Sequence, residues 1–126
     1  LRRQQFLLRL SREHHHGLVL ARRAVRAAEQ GPDAVVAGWE AVREAHRSEL
    51  VEHFRDEESR VLPLLGSADD ALVSRTLREH DQLRALIAGG ATADELRAFG
   101  ELLARHIRFE ERQLFPAIER LVKQAS

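Results

Sequence analysis

"HFRDEESRVLPLL" (residues 53–65) and "HIRFEERQLFPAI" (residues 106–118) are one pattern written twice in the same register. Each copy has Arg two places after its His, Glu-Glu at the fourth and fifth places, and Pro at the tenth. In a helix, residues four apart share a face, so each copy aims a His and a Glu the same way, roughly 6 Å apart along the axis. A single pair of this kind is an ordinary exposed helix support, worth about a few tenths of a kcal/mol. Two copies in one register point to a shared task.

Around these segments apolar residues recur at spacings of three and four, and no run of alternating β-branched residues competes. The chain is therefore read as all-α. Gly31-Pro32-Asp33, Leu65-Gly66-Ser67 and Gly89-Gly90-Ala91-Thr92 are the breaks with turn chemistry. They divide residues 1–126, read as one domain, into helices over 2–30, 34–64, 68–88 and 93–123. Ser67 with Asp70, and Thr92 with Glu95, have the spacing of capping boxes. Connections this short make neighbouring helices antiparallel, which gives an up-down-up-down four-helix bundle. Pro63 and Pro116 are expected to end or kink their helices in the last turns, because proline removes a donor and crowds the preceding turn.

The apolar stripes decide which polar residues face inward. On the fourth helix the stripe is Leu96, Phe99, Leu103, His106, Glu110, Leu114, Ala117, Leu121. On the second it is Trp39, Val42, His46, Leu50, His53, Glu57, Val61. The first helix offers Leu7, Leu10, Leu18, Ala21 and Val25, and of its three consecutive histidines the spacing selects His14, leaving His15 and His16 on the flanks. The third has Val73, Leu77, Leu83 and Ile87, with His80 in line. His14 and His80 are both preceded by Arg-Glu, so the repeat extends to the odd helices as "REH".

Each helix thus contributes one inward His, and two helices add a Glu. An unpaired carboxylate in an apolar core costs several kcal/mol, and a second beside it costs more. Imidazole and carboxylate together are the ligand set of Fe, Mn and Zn. The reading is that Glu57 and Glu110 each bridge two ions, with His14 and His53 on one and His80 and His106 on the other. His46 lies one heptad from His53 and is read as a core or bundle-end histidine. Glu58 and Glu111 are read as partners of the ligands or surface groups.

Composition narrows the alternatives. Twenty basic and twenty acidic residues cancel and are mixed along the chain, without the basic face that nucleic acid requires. There is no Cys, which removes thiolate ligands and nucleophiles and suits a reducing compartment. No apolar run has the length of a membrane span. A soluble, cytoplasmic protein is expected, with no nucleic-acid or membrane partner. Two E-x-x-H motifs, as in ferritin-like bundles, are not found, since only Glu13 to His16 has that spacing. H-E-x-x-H, the mark of many zinc hydrolases, is also missing. The competing reading is a metal-free structural or partner-binding bundle.

With "REHHH", "HFRDEE", "REHDQL" and "HIRFEERQLFP" on successive helices, the chain resembles the hemerythrin-like, or HHE cation-binding, domains over essentially its whole length. The resemblance implies a non-haem site of two Fe ions, oxo- or hydroxo-bridged and spanned by two carboxylates, with Zn or Mn as substitutes. It implies O2 or another small oxidant as partner. Carried over position by position, the metal ligands are His14, His53, Glu57, His80, His106 and Glu110. No catalytic residue is assigned, and any enzymatic activity would be a weak oxidase or peroxidase type. Oxygen-carrying members have a second His one turn after the first on the third helix, and this chain has Arg84 there. The gap is expected to be filled by water, by Glu13 or Glu79, or by nothing, and it argues against simple O2 carriage.

Overall fold

The computed structural model describes residues 4–125, which form four helical rods and no strand. They are α1 (Gln5–Ala27), α2 (residues 32–65), α3 (Asp70–Gly89) and α4 (residues 93–125). The expected start of the first helix at residue 2 lies outside the described residues. Its end comes three residues earlier than expected, where Glu29 and Gln30 turn toward Gly31, whose φ of 101° favours a residue without Cβ. Gly66, with φ 54°, plays the same part between α2 and α3. The Thr92–Glu95 capping box forms as expected and opens α4. The Ser67–Asp70 box does not. Asp69 caps α3 instead, its side chain accepting from the Leu72 backbone N–H at 3.1 Å.

Two apolar clusters fix the topology. One joins the start of α1, the end of α2, the start of α3 and the end of α4 through Leu7, Leu10, Val61, Leu65, Leu72 and Ile118. The other joins the opposite ends through Ala24, Trp39, Val42, Leu83, Ile87 and Phe99. Only alternating up and down helices place those segments together. The polar residues His14, His53, Glu57, His80, His106 and Glu110 are all buried in the layer between them.

Several stripe residues differ from expectation. On α1, Gly17 and Ala24 are buried, whereas Leu18 and Val25 are only partly so. The reason is the seam with α4. A Cβ on Gly100 would lie 2.6 Å from the Ala21 carbonyl oxygen, and one on Gly17 would lie 2.7 Å from Ile107 Cδ1. Small residues let the two helices approach more closely than Leu or Val would. On α3, Leu77 is 40% exposed and Thr76 is buried in its place, its hydroxyl donating to the Leu72 carbonyl at 2.8 Å.

The prolines act differently from the expectation of a late stop. Pro63 is followed by two more helical residues, but α4 continues nine residues past Pro116, to Ala125. Both helices contain a π-turn just upstream, Glu57–Val61 and Glu110–Leu114, with a third at His46–Leu50. In these turns the Leu62 and Phe115 N–H groups reach back five residues, to the Glu57 and Glu110 carbonyls. The widened turn has already broken the regular ladder where a proline would clash with it. Each π-turn also inserts one residue into the stripe, so the buried positions after Leu114 are Phe115 and Ile118, with Ala117 and Leu121 half-buried. His46, at the start of the third π-turn, is half-buried rather than in the core.

The α1–α4 seam yields the first prediction. Alanine is the better helix former by about 1 kcal/mol, yet Gly100→Ala should lower stability by about 1–3 kcal/mol net through overpacking. Urea unfolding of parent and variant measures the sign.

Candidate metal centre

Glu57 and Glu110 are fully buried, from matching positions on α2 and α4, and each opens a π-turn. All four inward imidazoles aim Nε2 at their oxygens. His53 Nε2 is 2.9 Å from Glu57 Oε2, and His14 Nε2 is 2.8 Å from Glu110 Oε1 and 3.4 Å from Glu57 Oε2. On the other side His80 Nε2 is 2.9 Å from Glu57 Oε1, and His106 Nε2 is 3.2 Å from Glu110 Oε2. The six residues selected by stripe and resemblance are brought together. They fall into two groups, His14, His53, Glu57 and Glu110, and Glu57, His80, His106 and Glu110. Within each group the donor atoms lie within 4.8 Å of one another, and the two groups share both glutamates.

The opposite ring nitrogens are held by four further carboxylates. His14 Nδ1 meets Glu111 at 2.8 Å and His53 Nδ1 meets Glu13 at 2.7 Å. His80 Nδ1 meets Glu58 at 2.6 Å and His106 Nδ1 meets Glu79 at 2.8 Å. Each Nδ1–H therefore donates outward and leaves Nε2 to face the centre, the tautomer that a metal ligand needs. Glu58 and Glu111 prove to be partners of the imidazoles, as one of their two readings had it. Glu13 and Glu79 do not fill the gap at position 84. They face the imidazoles of the next helix, and this is the task of the Glu in each "REH". That role was missed because the contact crosses between helices, although the duplicated motif was visible.

Beyond these carboxylates stand further groups. Arg84 Nη1 pairs with Glu58 at 2.8 Å, Arg75 Nε donates to Glu79 at 3.1 Å, Arg9 lies 3.4 Å from Glu13, and the Ser11 hydroxyl donates to Glu111 at 2.8 Å. Aromatic rings fix two of the imidazoles. Phe54 stacks on His80 with centroids 4.4 Å apart, and Phe115 stacks on His14 at 5.4 Å. His15 and His16 are exposed, as expected for flanking residues, and His16 pairs with Glu49 at 3.1 Å across the α1–α2 seam. Beneath that pair a void of about 30 Å³ reaches the centre, bordered by His14, His53, Phe54, Leu103, His106 and Ile107.

The donor set fits a cation. His14 Nε2, Glu57 Oε2, His106 Nε2 and both Glu110 oxygens are buried with no hydrogen-bond partner, although other donors lie close by. Their contacts have the wrong direction for hydrogen bonds and the right spacing for ligands. Two donors at right angles on an ion with bonds of ~2.1 Å stand about 3 Å apart. A buried unsatisfied polar group costs about 1–3 kcal/mol, so five of them are on the scale of a whole domain's stability of about 5–15 kcal/mol. Ion pairing offsets part of this, and a cation would offset the rest.

Without a metal, His14, His53 and His106 hold protons more tightly than a free imidazole does. Burial pulls the His14 pKa down, but the carboxylates of Glu110, Glu111 and Glu57 outweigh it and raise it to about 11. His53 and His106 are also raised against burial, by Glu57 and by Glu110 respectively. Glu57 is held well below the usual carboxylate range, because the surrounding imidazoles overcome its burial. A histidine raised in the folded state stabilises the fold fully below its unfolded value of 6.5, and that stability is lost as pH rises through the folded value. The Glu57 contribution has the opposite sign, present above 4.5 and lost as pH falls through its depressed value. The melting temperature of metal-free protein should therefore fall as pH rises from 7 toward 11. A flat or rising profile would contradict the buried imidazoliums.

None of the curated proteins and none of the solved structures matches the chain. The family model for the hemerythrin HHE cation binding domain matches residues 7–118. That span takes in every residue of the centre from Glu13 to Glu111, and the chain belongs to the hemerythrin family of HHE cation-binding domains.

Proposed function

We propose that the chain is a non-haem di-iron protein that meets O2 or a related small oxidant, in sensing, redox chemistry or iron handling rather than as a simple O2 carrier. The observation that carries this reading is the convergence of four Nε2 atoms on Glu57 and Glu110, with buried oxygens and nitrogens left without hydrogen-bond partners. A donor set of imidazole and carboxylate without thiolate suits iron, with Mn or Zn as substitutes, and the family favours iron.

Bound iron would supply the redox chemistry. The residues of the chain do the rest. Glu57 and Glu110 stand where both groups can share them, and the four histidines complete each group. The outer carboxylates orient the rings, while Phe54, Leu103 and Ile107 line the void beside them with apolar surface. A void of about 30 Å³ admits a molecule of a few atoms and little more. At position 84, where an oxygen carrier has a further imidazole, the guanidinium cannot ligate and is paired with Glu58. Each group is left with two histidines, and the void that could admit water or oxidant borders His14, His53 and His106. A weak oxidase or peroxidase activity is compatible with this arrangement. The absence of Cys suits the cytoplasm.

Metal analysis after iron loading tests the reading. The parent should hold two ions per chain, Glu57→Ala and His14→Ala should lose metal, and His15→Ala should keep it. Equal content in parent and Glu57→Ala, or none in either, would favour the metal-free bundle. A second expectation concerns Arg84. Reduced, iron-loaded protein exposed to air should oxidise in one direction, with a visible spectrum that does not revert when O2 is removed. Arg84→His should slow that change, and a reversible adduct in the parent would overturn the argument from position 84.

A further inference from the structure

We propose that the hollow lined by Arg75, Arg105, Arg108 and Arg112 binds a small phosphate-type oxyanion, and that Arg75 and Glu79 connect it to His106. The hollow, of about 220 Å³, is bordered by these four residues with Phe109 and Gln113, and no acidic residue lines it. Arg105, Arg108 and Arg112 follow one another at spacings of three and four on one exposed face of α4. Like charges at that spacing repel. None of the three has an ion pair among the described residues.

The balance of twenty basic and twenty acidic residues hides this patch. Glu13, Glu57, Glu58, Glu79, Glu110 and Glu111 are all committed to the four histidines. The surface is left with an excess of arginine. Guanidinium presents a planar fork of donors that matches the oxygens of phosphate, and several forks around one hollow make a site for a multiply charged oxyanion. A nucleic acid needs a longer positive track. Here the adjoining hollow shares Arg105 and Arg108 and adds Arg22 and Arg26, but Glu29 and Glu101 interrupt it. The ligand is therefore small, either free phosphate or the phosphate group of a small ester.

Arg75 belongs to both the hollow and the centre. Its guanidinium lies 4.1 Å from the centroid of the buried Phe109 ring, its Nε donates to Glu79 Oε2 at 3.1 Å, and Glu79 Oε1 accepts from His106 Nδ1 at 2.8 Å. An anion on the outer nitrogens of Arg75 takes up charge that otherwise neutralises Glu79. Glu79 then holds the His106 N–H more tightly. The binding itself does not depend on the metal reading; only the consequence of the link does.

Calorimetric titration of the purified protein at constant ionic strength tests the site, with inorganic phosphate in one arm and glycerol 3-phosphate in the other. Saturable binding of at least one is expected, and the tighter of the two names the source. Arg108→Gln and Arg112→Gln, both on exposed positions, should each weaken it roughly tenfold, the loss of one charge-assisted contact, while Arg23→Gln on α1 should not. No saturable binding in either arm, an equal effect of chloride, or unchanged affinity in both α4 variants would overturn the site. The hydrogen-bonded His106 Nδ1 proton, followed by NMR, should shift on phosphate addition. Phosphate binding without that shift would overturn the link while leaving metal content unaffected.

Discussion

Two carboxylates placed side by side in the middle of an apolar bundle set the terms for everything around them. Glu57 and Glu110 are fully buried, and leaving such groups unpaired would cost several kcal/mol each, on the scale of a domain's whole stability of about 5–15 kcal/mol. The structure answers with alternating charge: carboxylates at the centre, imidazoles around them, carboxylates again behind the imidazoles, and mostly guanidinium groups at the rim. The two apolar clusters close this layer from above and below. Fold and site are thus one arrangement, because the helices that build the core are positioned by the same register that aims the histidines.

Much of this was legible in the sequence, and the reasons differ from residue to residue. The helices, their order and the inward direction of His14, His53, His80 and His106 follow from periodicity, since a four-residue step keeps its face over a few turns. What periodicity does not carry is a change of step. Each π-turn adds one residue, which displaced Ala117 and Leu121 in favour of Phe115 and Ile118. Helix proximity is also silent in a single stripe. Gly17 and Ala24 replace Leu18 and Val25 on the buried face because α4 lies so close. Glu13 and Glu79 were visible as a duplicated motif, but their partners are on other helices, and contacts between helices are not written in the spacing along one of them.

The two donor groups are alike at the centre and unlike at the edge. Both have two imidazoles and share both glutamates. Behind His80 and His106 the carboxylates are neutralised by Arg84 and Arg75 at 2.8 and 3.1 Å. Behind His53 the guanidinium of Arg9 stands farther off, at 3.4 Å, and behind His14 the Ser11 hydroxyl donates to Glu111. A carboxylate less neutralised by its neighbours pulls harder on the imidazole proton and makes the ring a stronger donor. The equivalent arginines of the two halves thus stand at slightly different distances from their glutamates, 3.4 Å at Arg9 and 3.1 Å at Arg75.

The repetition within the chain has a consequence for how little information the centre requires. One helical hairpin supplies Glu13 and His14 on its first arm and His53, Glu57 and Glu58 on its second. The other hairpin supplies Glu79, His80, His106, Glu110 and Glu111 in the same order. Each arm's outer glutamate reaches an imidazole of a neighbouring arm, Glu13 within its own hairpin and Glu58 across to the other, and the second hairpin returns both contacts. The layer thus has a pseudo-twofold axis running between Glu57 and Glu110. Five side chains on a single hairpin, meeting a copy of themselves about that axis, specify all ten groups. The bundle is in chemical content a covalently joined homodimer, in which joining the halves frees pairs such as Ser11 and Leu77, or Leu18 and Arg84, to diverge while the symmetric interior stays whole.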